Sequence, residues 1–204
     1  VNLDQEQLME GVHIRFNGVE SAFALWINGT FVGYSEDSFS PSTFDITGMV
    51  KKGINKIAVQ VYRFSSGSWL EDQDYWRFSG IFRDVELLFV PKTNLSDLRV
   101  QTLLKNNYSE AFVEVDLNLI GQLEKSVVKM TLYDDSKPLS VVELVGKDEL
   151  HTSINVKEPK LWSAESPNLY HLVIEIIKND VLVEVCKQVV GIREFKIIDG
   201  IMCI

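Results

Sequence analysis

Residues 22–34 read AFALWINGTFVGY, and they decide the fold class. Phe23, Leu25 and Ile27 alternate with Ala24 and Trp26. A period of two puts alternate side chains on opposite faces of a strand. Asn28-Gly29 follows at once, and both residues tolerate the positive φ that a type I′ hairpin turn needs. The chain then resumes with Phe31 to Tyr34, a second strand. Outward from this hairpin the pattern repeats. His13 to Phe16 leads into an Asn17-Gly18 turn. Ile57, Val59 and Val61 point one way, with Ala58, Gln60 and Tyr62 the other. Val85 to Val90 is almost wholly apolar, which predicts a central strand. Asp45 to Lys51 suits one short helical turn, and no amphipathic helix of normal length is present.

Val90-Pro91-Lys92-Thr93-Asn94 interrupts the pattern, because proline cannot donate to a ladder. A domain boundary is placed there. Seven alternating runs follow, at 98–103, 111–119, 127–132, 139–144, 150–156, 169–177 and 181–190. That spacing fits an immunoglobulin-like sandwich without the cysteine pair of antibody domains. Glu158-Pro159-Lys160-Leu161-Trp162 reads as a rigid corner, with Trp162 a packed anchor.

The 204 residues suffice for one large β domain or two ordinary ones, and 46% are hydrophobic. The net charge of −9 argues against nucleic-acid binding, which needs a basic stripe to release counterions. Cys186 and Cys203 make no disulfide framework, so a reducing, cytoplasmic setting fits. No run approaches a membrane span, and no signal peptide stands at the polar start. Asn-x-Ser/Thr triplets at Asn28, Asn94 and Asn107 therefore read as chance matches. Val1 in place of methionine, and the apolar ending IIDGIMCI, read as cuts from a longer chain. His13, His151 and His171 are isolated in sequence and read as surface or structural histidines. No nucleophile elbow or phosphate loop occurs.

The unusual run is SSGSWLEDQDYWR, Ser65 to Arg77. Three carboxylates and three large aromatics lie within a few residues. Aromatic faces cover the C–H face of a sugar, and carboxylates accept its hydroxyls or hold a hard cation. Composition alone leans to the plainer alternative, an acidic loop with aromatic packing and a salt bridge to Arg77 or Arg83.

The flanking sequence adds a resemblance. RFNGVESAFALWINGTFVGYSEDSFSPSTFDIT (15–47), GINKIAVQVYRFSSGSWLEDQDYWRFSGIFRDVELL (53–88), EPKLWSAESPNLY (158–170) and VGIREFKIIDG (190–200) resemble consecutive segments of bacterial glycoside hydrolase family two β-galactosidases, in order and near their spacing. The resemblance is weakest over 103–156. The β-glucuronidases and β-mannosidases of the family share the architecture but depart from the Asp72-Gln73-Asp74 portion. The resemblance implies an all-β chain. Residues 1–92 would be the later part of a jelly-roll (galactose-binding-like) sugar-binding domain. Residues 93–197 would form an immunoglobulin-like β-sandwich, and 198–204 the lead into a catalytic barrel.

The family hydrolyses terminal β-D-galactose residues, as in lactose, with retention, using two barrel glutamates about 5–5.5 Å apart. No catalytic residue is expected within these 204 residues, so the chain alone is expected to be inactive. Asp74 matches the family carboxylate that contacts a galactose hydroxyl and shares a Na+ with barrel ligands. Glu71, Asp72, Gln73, Trp76 and Arg77 would shape the loop, with Phe78 and Phe82 packing it down and Arg77 and Arg83 pairing with carboxylates. Na+ and Mg2+ serve the intact family, and neither is expected to bind this stretch tightly. Expected partners are the β-galactoside and further copies of the parent, with no nucleic acid or membrane. Open edges of a partial jelly roll predict strand-paired dimers. The alternatives are a stand-alone carbohydrate-binding module and a structural assembly module.

Overall fold

The structure, a computed structural model, describes residues 1–70 and 78–203. It is built from short antiparallel strands, and its one α-helix among the described residues has four residues, Gly67–Leu70. The chain divides into two compact units, Val1–Pro91 and Lys92–Ile204. Each has its own core.

The first unit contains β1 (Asn2–Leu3), β2 (Gly11–Phe16), β3 (Val19–Glu20), β4 (Ala22–Ile27), β5 (Thr30–Ser35), β6 (Ser42–Asp45), β7 (Gly53–Ile54), β8 (Ile57–Tyr62), β9 (Gly80–Ile81) and β10 (Val85–Val90). Two three-stranded sheets, β10-β2-β6 and β5-β4-β8, form a sandwich. Val12, Ile14 and Phe16 from one meet Phe23, Leu25 and Ile27 from the other in a single buried cluster. The alternation in AFALWI therefore translates directly into an inward face. Asn28 and Gly29 have φ of 52° and 86°, as a type I′ turn requires. The polar Asn55, 1% exposed, sits beneath this turn. It accepts from the Lys51 N–H at 2.9 Å and from the Asn28 amide at 2.9 Å. It donates to the Lys51 and Gly53 carbonyls at 2.6 and 3.0 Å. The expected turn near 45–51 is a 3-10 helix, Thr47–Met49.

The Asn17-Gly18 turn delivers the chain from β2 to β3, which pairs with β9. One expectation changes here. β10 is an edge strand, not a central one. Leu87 packs on the core, but Val85 and Phe89 are exposed. An apolar run reports a preference for burial, whereas position within a sheet is set by which distant strands pair.

The second unit contains β11 (Asn94–Lys105), β12 (Glu110–Ile120), β13 (Ser126–Asp134), β14 (Lys137–Val145), β15 (Glu149–Lys157), β16 (Tyr170–Lys178), β17 (Val181–Val190), β18 (Lys196–Ile198) and β19 (Ile201–Cys203). Sheets β11-β12-β15 and β14-β13-β16-β17 make the immunoglobulin-like sandwich, and each expected run falls on one of these seven strands. β14 stays beside β13 instead of joining β15, giving a three-plus-four arrangement. Val113, Val115, Leu117, Met130, Leu132, Ile154, Leu172 and Ile174 fill the core. The corner at 158–162 is pinned from several sides. The Lys160 N–H donates to the Tyr170 hydroxyl at 2.8 Å, and the Trp162 N–H to the Ile192 carbonyl at 2.9 Å. The Arg193 guanidinium lies 4.7 Å from the Trp162 ring, so this tryptophan is indeed a packed anchor. The closing hairpin β18-β19 spans residues 197 and 198, where the lead segment was expected to start.

Candidate functional site

The acidic-aromatic run is carried by the chain between β8 and β9. Both ends of that connection come back to one place, the Glu20–Ser21 peptide, which is cis. On the entering side, the Ser21 N–H donates to the Tyr62 carbonyl at 3.2 Å, and the Ser21 hydroxyl to the Ser65 Oγ at 3.1 Å. Ser65 and Ser68 close a small turn, with the Ser65 N–H donating to the Ser68 Oγ at 3.0 Å. On the returning side, the Ser79 N–H donates to Glu20 Oε2 at 3.0 Å, and its hydroxyl to the Glu20 carbonyl at 3.3 Å. β3 and β9 then pair Glu20 with Gly80 and Val19 with Ile81. A third strap comes from Ser38, whose hydroxyl donates to the Ser21 carbonyl at 3.3 Å. The base of the loop is thus closed by short polar side chains that the sequence scatters over 59 residues.

Beside this base stands Glu36. It accepts from the Tyr34 hydroxyl at 2.6 Å and from the Ser66 hydroxyl at 2.5 Å. These two bonds hold its carboxyl below the usual range, Ser66 contributing most. The same bond to Glu36, with desolvation next, pushes the Tyr34 phenol up to about 12. Neutral Tyr34 and ionised Glu36 therefore face solvent together at physiological pH.

Asp74, Glu71, Asp72, Gln73, Trp76 and Arg77 lie outside the described residues. Their neighbours are placed. Phe82 is 45% exposed, with its ring 5.8 Å from that of Phe39. Phe78 is 81% exposed. Among the described residues Arg83 donates to the Asn17 and Phe39 carbonyls at 3.2 and 2.8 Å and lies 5.2 Å from the Phe82 ring. No carboxylate among those residues pairs with it.

Two of the three histidines gain partners that their spacing hid. His151 Nδ1 lies 2.7 Å from Asp116 and its Nε2 3.4 Å from Glu114, because the β12–β15 register sets Asp116 opposite it. His13 lies 3.8 Å from Asp45. His171 Nδ1 is buried without a hydrogen-bond partner among the described residues. None of these groupings makes a site: among the described residues, no three His, Cys, Asp or Glu side chains could hold a metal ion. The second unit has a cavity of about 370 Å3 between Trp162, Arg193, Tyr108 and Lys196. It contains none of the residues singled out in the loop.

Residues 1–91 match the family description "Glycosyl hydrolases family 2, sugar binding domain", and residues 93–193 match "Glycosyl hydrolases family 2". The chain belongs to glycosyl hydrolase family 2. Within that family it is similar to named β-galactosidases. It is 47% identical over 193 residues to that of Clostridium acetobutylicum, a match covering 94% of this chain and 22% of that protein. It is 46% identical over 209 residues to that of Priestia megaterium, covering 95% of this chain and 20% of that one. The chain spans about a fifth of the length of these relatives. In fold it is similar to the Bifidobacterium dentium β-glucuronidase complexed with coumarin-3-O-glucuronide, with a TM-score of 0.87 at 18% identity over 97% of this chain and 38% of that one. A family 2 member from Bacteroides cellulosilyticus gives 0.83 at 21% identity, over 97% of this chain and 28% of that one. At these identities the likeness shows the fold alone.

Proposed function

We propose that this chain supplies the substrate-side β domains of a retaining β-galactosidase and contributes one carboxylate, Asp74, to the galactose site. The supporting observation is the identity of 47% to a β-galactosidase across 94% of the chain, which spans the loop from Ser65 to Ser79. In this reading Asp74 accepts from a galactose hydroxyl, and one of its oxygens serves Na+ alongside ligands from elsewhere in the parent. Residues beyond this chain provide the acid/base and nucleophile glutamates, with residues 198–204 leading toward them. Cys186 and Cys203, both free, fit a cytoplasmic protein.

In the full-length enzyme, Asp74→Asn should lower kcat/KM for a β-galactoside about 10- to 100-fold, the cost of one charge-assisted hydrogen bond to substrate. It should also weaken the dependence of activity on Na+. Unchanged kinetics in Asp74→Asn would return the segment to a structural role.

One observation favours a further reading of assembly. β10 and β6 edge one sheet of the first unit, and β5 and β8 edge the other. Val85 and Phe89 on β10 remain exposed. Unpaired edges recruit strands from other chains. The 204-residue chain is therefore expected to dimerise through β10, and a monomeric mass by light scattering at high concentration rules that out.

A further inference from the structure

The outward face of the β5-β4-β8 sheet carries an arrangement that the loop reading does not use. β4 sends Phe23, Leu25 and Ile27 inward, which leaves Ala22, Ala24 and Trp26 on the other side. Register then sets the neighbours. Trp26 lies opposite Phe31 on β5 and Ala58 on β8. Ala24 lies opposite Tyr34 and Gln60, and Ala22 opposite Tyr62. Two aromatic pairs result. The Trp26 and Phe31 rings are 5.5 Å apart, and the Tyr34 and Tyr62 rings 6.2 Å apart. Alanines separate them, so no bulky side chain rises between the pairs. Along the strand, the pairs are offset by one same-face step, roughly 7 Å.

These rings are not spent on packing. Phe31 is 54%, Tyr34 48% and Tyr62 38% exposed, whereas Ala24 beneath them is 4% exposed. Polar groups border the strip. Gln60 is exposed between the two pairs and offers both a donor and an acceptor. Glu36, ionised and already holding the Tyr34 and Ser66 hydroxyls, lies at the Tyr62 end. The strip alternates ring faces with hydrogen-bonding groups. That matches a pyranose chain, whose C–H faces and hydroxyls alternate in the same way.

We propose that this face is a second carbohydrate-binding surface, distinct from the Asp74 loop, that takes an extended, equatorially linked pyranose oligosaccharide across Trp26–Phe31 and Tyr34–Tyr62. The match of residues 1–91 to a sugar binding domain points to the same ligand class. The proposal rests on the reading of the first unit as a carbohydrate-contacting domain, but on other residues. Glu36 and Ser66 join the strip to the base of the loop, so a bound chain runs toward the loop that bears Asp74.

The test is a titration of the 204-residue chain with cellotetraose, followed by intrinsic tryptophan fluorescence and by calorimetry. Lactose serves as the short control and maltotetraose as the axially linked, curved control. A dissociation constant on the order of 1 mM is expected for cellotetraose, with little response to either control. Phe31→Ala and Tyr62→Ala should each weaken binding about fivefold or more, while Tyr62→Phe keeps the ring and the affinity. Circular dichroism and melting midpoints check that each variant folds. No binding of cellotetraose, equal binding of maltotetraose, or binding untouched by both alanine variants overturns the proposal. So does self-association that both alanine variants abolish without any effect of sugar, since the face would then seat a second copy. The loop reading is judged separately, by turnover of Asp74→Asn in the full-length enzyme, and either result can fail while the other stands.

Discussion

Tyr170 shows what one hydroxyl does in this molecule. It is 2% exposed, and its oxygen takes the Lys160 N–H ten residues upstream at 2.8 Å. The corner that carries Trp162 is thereby tied to the start of β16, in the manner of the tyrosine corner of related sandwiches. Tyr170→Phe keeps the ring and strands a part-buried N–H. The expected cost is about 1 kcal/mol, read as a drop of about 4–8 °C in the melting midpoint of the second unit. A midpoint unchanged by the substitution contradicts that role. Nothing in the sequence marks this tyrosine: it reads as one more inward residue of an alternating run. The same holds for Asn55, whose buried amide makes four hydrogen bonds to three neighbours, and for Ser21 at the root of the loop.

Among the elements, the 3-10 turn at Thr47–Met49 couples local structure to pH. Asp45 Oδ1 accepts from the Thr47 hydroxyl at 2.6 Å and from its N–H at 2.9 Å. These bonds, the hydroxyl first, hold the Asp45 carboxyl below its ordinary value, with His13 helping and desolvation opposing. A depressed folded pKa stabilises the fold above the unfolded carboxylate value near 4. That contribution is lost as pH falls through the lower folded value. The Asp45 side chain is 68% exposed, so solvent screening keeps the contribution well under about 1 kcal/mol. Asp45→Asn should flatten the loss of stability between about pH 5 and pH 3. An acid-unfolding profile identical to that of the parent chain argues against it. Strands were the most legible elements. Each of the seven runs in the second unit lies on an observed strand, because two-residue alternation is written in neighbouring residues. β10 was misplaced for the complementary reason, since pairing partners 69 or more residues away decide whether a strand is central or at an edge.

The whole molecule is an acidic, all-β pair of sandwiches with a net charge of −9. Among the described residues, no helix is long and apolar enough to cross a membrane. Its two units match two descriptions within one glycoside hydrolase family, and it spans about a fifth of its β-galactosidase relatives. The proposed division of labour predicts that the 204-residue chain, purified alone, does not hydrolyse a chromogenic β-galactoside; turnover that persists through repurification refutes it. By itself the sequence determined the fold class, the hairpin at Asn28-Gly29 and the family. Alternation, turn chemistry and motif order are all local properties of the chain. It also singled out Asp74, whose surroundings lie outside the described residues. Only tertiary structure decided that Glu20 and Ser21 close the loop, that His151 faces Asp116, and that four aromatic side chains share one open sheet face. Those outcomes depend on register between segments distant in sequence, where shifting a strand by one residue exchanges its inner and outer faces.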